Sequence, residues 1–241
     1  MNLVVDKGNT QVKLVWFDQG NIVESFRLIS SEQMNLNMAL DKRPVDKAII
    51  CSVGDTIPGF SPQLSHRLKK LIVLDHHTPL PFQIDYKTPE TLGYDRIAAC
   101  AGAFCLFPSA NVLVMDLGTA ITVDFINAKG EYVGGNISPG LYTRFKSLNE
   151  HTANLPLIEA DKSFPRFGED THSAIAAGVQ QGIIYELEGY IRDFSARFPD
   201  CRFIITGGDA SFFVSEFKKP IFAIPELVVT GLNYILEFNT T

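Results

Sequence analysis

With 241 residues, 46% of them hydrophobic and 20% charged, the chain can bury one large core or two modest ones and has the make-up of an ordinary soluble globular protein. A formal net charge of −6 argues against nonspecific nucleic-acid binding, which needs a basic surface, but leaves room for small anionic ligands that need only local positive groups. No apolar run approaches the roughly 18 residues of a membrane span. The N-terminus runs straight into an apolar strand with no basic segment before it, which argues against secretion. Cys51, Cys100, Cys105 and Cys201 are scattered in apolar surroundings without Cys-x-x-Cys spacing, and read as reduced core thiols of a cytosolic protein.

In chain order, apolar runs predict strands at 2–6 and 11–17, a turn at Asp18–Asn21 and a third strand at about 22–28. The segment from Ser30 to Lys42 resembles a helix capped by Ser30 or Ser31. Buried strands are expected at 47–53 and 71–75, with a short helix between them over 61–70. Residues 76–92, rich in Pro and Thr, read as a loop, and a helix is expected to start near Tyr94. A boundary falls near Pro108–Asn111. Beyond it the theme repeats: strands at about 112–116, 120–126 and 131–134, then a loop and helical region over 135–165. Ile175, Val179, Ile183, Leu187, Ile191, Phe194 and Phe198, three or four residues apart, mark an amphipathic helix. RFIITGGDA then reads as a strand, a Gly-Gly turn and a helix start. Strands mixed with helices place the chain in the α/β class.

The repeat dictates the architecture. NLVVDKGNTQVKLVWF, residues 2–17, and NVLVMDLGTAITVDFI, residues 111–126, are both an apolar strand, Asp-x-Gly with small polar residues, and a second apolar strand. Asp6 matches Asp116, and Gly8 matches Gly118. Each tip suits phosphate: Gly lets backbone N–H groups approach, hydroxyls donate, and a carboxylate holds a metal ion or its waters. Two facing tips would clamp one nucleotide between two domains, 1–108 and 109–241. His76 and His77 are a poor metal pair, because adjacent residues on a strand point to opposite faces and no Cys or third His lies nearby.

Taken together, these segments resemble the type III pantothenate kinases of the acetate and sugar kinase/Hsp70/actin superfamily. The first phosphate motif is similar to the segment Asp6, Lys7, Gly8, Asn9, Thr10, Gln11, Val12 and Lys13. Gly93-Tyr94-Asp95-Arg96 resembles the substrate motif Gly-x-Asp-Arg. Asp116-Leu-Gly118-Thr119-Ala120, with Thr122 and Asp124, resembles the second phosphate motif. The stretches from Gly134 to Leu141 and from Thr152 to Pro156 resemble the family's next segment, and Thr206-Gly207-Gly208 resembles the adenosine-side motif. The resemblance covers nearly the whole chain. Lys7 and Asp209 depart from it, in positions that are usually small or apolar.

The resemblance implies duplicated actin-like (ribonuclease H-like) domains with mixed sheets flanked by helices, and ATP-dependent phosphorylation of pantothenate to 4′-phosphopantothenate, the first step of coenzyme A biosynthesis. It implies Asp95 as general base, Arg96 as partner of the pantothenate carboxylate, and Tyr86, Gly93 and Tyr94 beside the substrate. Asp6 would hold Mg²⁺, directly or through water, and Asp116 a monovalent cation, K⁺ or NH₄⁺. Thr119, Gly207 and Gly208 would contact ATP. Thr171 would reach pantothenate from the neighbouring subunit of a homodimer with a shared active site. The alternatives are a kinase for another small hydroxylated substrate and a noncatalytic actin-like nucleotide-binding regulator.

Overall fold

The computed structural model describes residues 1–8, 11–29, 40–52 and 66–240. The helix expected from Ser30 falls almost wholly outside these residues, as does the first half of the short helix expected over 61–70. The chain forms two compact units. The first holds Met1–Pro108, Gly130–Tyr132 and Glu226–Thr241; the second holds Ser109–Lys129 and Val133–Pro225.

The first unit is built on a mixed sheet of β1 (Asn2–Lys7), β2 (Gln11–Asp18), β3 (Asn21–Ile29), β4 (Lys47–Ser52) and β5 (Lys70–Val73), in the order β3-β2-β1-β4-β5. β1 pairs antiparallel with β2 and parallel with β4. Leu3, Val5, Val12, Leu14, Trp16, Ala48 and Ile50 pack into one core. Val4 and Ile49, which alternate with them along β1 and β4, are equally buried, so the sheet is covered on both faces. A short strand, β6 (Gln83–Ile84), and a single 3₁₀ turn at Pro89–Thr91 interrupt the segment expected to be loop. β6 pairs with Glu131 and Tyr132.

Helix α1 (Tyr94–Leu106) is Ala-rich, and Arg96–Ala103 are all buried. It packs closely against a helix close to the C-terminus, Leu227–Phe238. A side chain on Gly231 would collide with the Ala98 carbonyl oxygen, and one on Gly102 with the carbonyl of Leu227. The small residues let the two backbones approach. The Asn2 amide donates to Asn233 Oδ1 at 2.8 Å, and Lys47 Nζ meets Glu237 at 3.2 Å, so the C-terminal helix is also tied to the sheet. The repeat alone would group residues 226–241 with the second half. Their helix packs in the first unit instead, because Leu227, Val229, Leu232, Ile235 and Leu236 bury themselves there.

The second unit repeats the plan with β7 (Val112–Leu117), β8 (Ala120–Ile126), β9 (Glu131–Pro139, whose first two residues count with the first unit), α2 (Leu141–His151), α3 (Thr171–Arg197), β10 (Arg202–Thr206), the short α4 (Ala210–Phe213) and β11 (Phe222–Ala223). The Leu227–Phe238 helix is α5. Sheet order is β11-β10-β7-β8-β9, and the first two residues of β9 carry β6 as a sixth strand. β7 pairs antiparallel with β8 and parallel with β10, matching the arrangement around β1. β9 continues to Pro139, past the two glycines where the sequence suggests a loop. α3 presents Ile175, Val179, Ile183, Leu187 and Ile191 to the core, joined by Leu113, Met115, Ile121, Phe145 and Ile205. The chain thus has the duplicated, actin-like α/β fold, two mixed sheets flanked by helices. Among the described residues no helix is long and apolar enough to cross a membrane.

Candidate active site

Both repeated tips are hairpin turns closed by their glycine. The Gly8 N–H donates to the Gln11 carbonyl at 3.0 Å, and the Gly118 N–H to the Ala120 carbonyl at 3.0 Å. Register fixes what stands beside each carboxylate. Asp6 lies opposite Lys13 on β2 and Cys51 on β4. Residues directly opposite in a sheet share a face, so Lys13, Asp6 and Cys51 form one row. In the second unit Asp116 lies opposite Thr122 and Thr206, an equivalent row with oxygens where the first has an ammonium and a thiol. Asn9 and Thr10 lie outside the described residues. Gln11 is exposed on β2, whereas Val12 turns its side chain into the core and offers only backbone to a ligand.

Asp95, on α1, lies close enough to Asp6 for its charge to act on that carboxyl. Gly93 is the N-cap, Asp95 sits in the first turn, and its Oδ1 accepts from the Arg96 N–H at 2.9 Å. A Cβ on Gly93 would lie 2.5 Å from that Oδ1, so the Gly of Gly-x-Asp-Arg leaves room for the carboxylate. Burial, then the Asp95 charge, raise the Asp6 carboxyl from 3.8 to about 6, with Lys13 pulling the other way. The Cys51 thiol is pushed well up by burial and by the same two carboxylates. A buried carboxyl that feels a second negative charge favours a proton or a cation beside it. Nothing in the sequence around Cys51 marks it as a neighbour of Asp6; only strand register reveals it.

Lys13 is committed elsewhere. Its ammonium pairs with Glu226, the residue that opens α5, and Arg27 Nη2 lies 4.0 Å from the same carboxylate. Glu226 likewise carries no local signal, since 213 residues separate it from Lys13.

The other substrate-motif residues form a second cluster in the same unit. Arg96 is buried, its guanidinium carbon 6.0 Å from the centre of the Tyr132 ring. Tyr86 meets Tyr132 edge-on, ring centres 5.8 Å apart. The Tyr94 hydroxyl lies 3.1 Å from His76 Nε2. His76 and His77 sit in a turn, where Asp75 Oδ1 accepts from the His77 N–H and the Thr78 hydroxyl, rather than on a strand. Among the described residues no three His, Cys, Asp or Glu side chains are grouped to hold a metal ion.

In the second unit the adenosine-side motif touches the second tip. Gly207 has φ +92°, and a side chain there would overlap the Leu117 carbonyl and the Asp116 carboxylate. The Asp209 N–H donates to the Leu117 carbonyl at 3.0 Å, and burial raises the Asp209 carboxyl above its usual value. Gly208 faces open space. The Thr119 carbonyl accepts twice from the start of α2, from the Gly140 N–H at 3.0 Å and the Thr143 hydroxyl at 2.7 Å. Thr171 is exposed as the first residue of α3; the cap is Asp170, whose carboxylate accepts from the Ser173 N–H at 2.9 Å and is held below its usual range by Ser173.

A duplicated actin-like fold with a carboxylate–glycine tip in each half is the framework of a class of ATP-handling enzymes. Solved structures bear out the fold. A Campylobacter jejuni protein, provisionally described as a Baf family transcriptional activator, superposes with a TM-score of 0.66 at 22% identity, covering 99% of this chain and 98% of its own. A Listeria monocytogenes protein, provisionally described as an N-acetylmannosamine kinase, gives 0.62 at 12% identity, covering 100% and 99%. The family is set by sequence. The model for type III pantothenate kinase matches residues 2–193. The type III pantothenate kinase of Bacteroides fragilis is 44% identical over 239 residues, covering 99% of this chain and 98% of the relative. That of Christiangramia forsetii is 40% identical over 244 residues and covers 100% of both. The chain belongs to the type III pantothenate kinase family.

Proposed function

We propose that this chain transfers the γ-phosphoryl group of ATP to the primary hydroxyl of pantothenate, giving 4′-phosphopantothenate and ADP in the first step of coenzyme A biosynthesis. The observation that carries the reading is the Asp6–Asp95 pair at the end of β1 and the start of α1. Asp95 is the general base, accepting the hydroxyl proton while orienting the oxygen for in-line attack. Asp6 faces the metal. A divalent cation such as Mg²⁺ beside Asp6 would offset the burial and the Asp95 charge that raise its carboxyl, and a protein carboxylate suits an ion that keeps water and phosphate ligands.

The remaining roles belong to the same reading. Lys7, Gly8, Asn9, Thr10 and Lys13 serve the phosphates, with Gln11 and Val12 as the backbone behind them. Thr119, Gly207 and Gly208 serve the nucleotide from the second unit. Asp116 takes K⁺ or NH₄⁺, supported by the threonines opposite it in the ladder. Arg96 meets the pantothenate carboxylate as a planar donor, with Gly93, Tyr94 and Tyr86 beside it. The duplicated halves are 1–108 and 109–241, the last helix crossing back. The enzyme works in the cytoplasm as a homodimer in which Thr171 completes the partner's pantothenate site. Exposed Ile137, Tyr142 and Tyr185 in the second unit support an apolar contact between copies.

The test is ADP release with ATP, Mg²⁺ and pantothenate, in K⁺ or NH₄⁺ and then in Na⁺. Pantothenate-dependent turnover that needs K⁺ or NH₄⁺ upholds both substrate and Asp116. Turnover indifferent to the cation removes the Asp116 role. Absence of turnover in folded protein rejects the substrate.

A further inference from the structure

We propose that Glu226 is the positioning residue of Lys13, holding its ammonium until phosphate takes the carboxylate's place. The inference rests on the reading that Lys13 serves the phosphates. Lys13 stands directly across the β1–β2 ladder from Asp6, at the foot of the first tip. Its side chain is only 15% exposed, and that of Glu226 33%, so water screens the pair less than it would a surface ion pair. Lys13 carries a single compact charge on a flexible stem that can be redirected. Its hydrogen bond goes to Glu226, while Asp6 feels it only through space. The carboxylate has a second cation, Arg27, within 4.0 Å, so it is not left bare when Lys13 leaves. Glu226 also opens α5, where the helix dipole favours a negative charge whether or not Lys13 is bound.

An incoming triphosphate therefore competes with Glu226 for one ammonium. Part of its binding free energy goes into breaking the existing pair, which weakens ATP without touching the chemical step. Removing the Glu226 charge should tighten ATP, and it should do so only through Lys13.

The experiment is a double-mutant cycle with Glu226→Gln, Lys13→Met and the double variant. The dissociation constant of MgATP is measured by calorimetry and kcat by ADP release, with melting temperatures as a folding control. The expected result is that Glu226→Gln lowers the MgATP dissociation constant by about two- to tenfold with kcat little changed. In the Lys13→Met background the same substitution should leave the constant unchanged. An equal tightening in that background would mean that Glu226 acts through the general field, and overturns the inference. So would unchanged or weaker binding in folded Glu226→Gln. Glu226→Asp, which keeps the charge, should bind no more tightly than the native chain. If the native chain binds MgATP but does not turn over pantothenate, the substrate reading fails while the cycle still decides the role of Glu226.

Discussion

Asp116 and Gly207 pack so closely at the ends of β7 and β10 that the glycine has no room for a side chain beside the carboxylate. Gly207 also has φ +92°, a conformation that L-residues resist. Gly207→Ala combines both penalties and must move Asp116, the Leu117 carbonyl or the turn. The expected outcome is at least a tenfold rise (about 1.4 kcal/mol) in the ATP KM and a higher K⁺ requirement, read from initial rates at varied ATP and K⁺. Unchanged KM values would separate the two motifs functionally.

Asp95→Asn should fold normally, because the amide oxygen can still accept from the Arg96 N–H that the carboxylate now holds. Turnover should fall by about 10²- to 10⁴-fold, the usual share of a general base. Melting temperature and kcat check the two halves of the statement. Near-normal kcat would refute the assignment of the base.

Asp6 makes the ligand-free protein sensitive to pH. Its carboxyl is raised from 3.8 unfolded to about 6 folded, so the folded state favours the protonated form. The associated stability is complete below pH 3.8 and is lost as pH rises to about 6, a change of up to about 3 kcal/mol. In EDTA, Asp6→Asn should therefore stabilise the protein, by a margin that grows between pH 5 and pH 8. The same variant should have almost no activity. Thermal melts at both pH values and an assay with Mg²⁺ check this; a margin independent of pH would disprove the sign.

Gly231→Ala should destabilise the first unit by about 1–3 kcal/mol, since its new methyl group meets the Ala98 carbonyl oxygen rather than a yielding side chain. α1 carries Asp95, so forcing α1 and α5 apart should also lower kcat. Thermal unfolding and initial rates measure both effects, and a melting temperature equal to that of the native chain would contradict the close packing.

The hairpin tips are legible because short apolar runs flank Asp-x-Gly twice, and the two sheets duly repeat the same strand pairing. α3 is legible from its apolar spacing. α5 is not, because LVVTGLNYILEF mixes β-branched residues with a central glycine, a local signal that disfavours a helix. Tertiary packing overrides it: the glycine that weakens α5 locally is what lets it lie against α1. β9 reads as too short for a similar reason, its Gly134-Gly135 suggesting a break although the strand runs through. In the site, Asp6 and Asp95 are readable as motif residues. Cys51 and Glu226 are not, since their neighbours come from strand register and from the far end of the chain.

Because α5 completes the first unit, Met1–Pro108 must wait for a segment that lies beyond the second unit in the chain. Asn2 is held by Asn233, and Met1–Pro108 forms one unit with residues that follow it only after the whole second unit has been made. Closing so large a loop is a slow, non-local step. The first unit should therefore reach its native state only after α5 has been made, and a chain stopped short of Glu226 should expose the faces of β1, β4 and α1 that α5 covers.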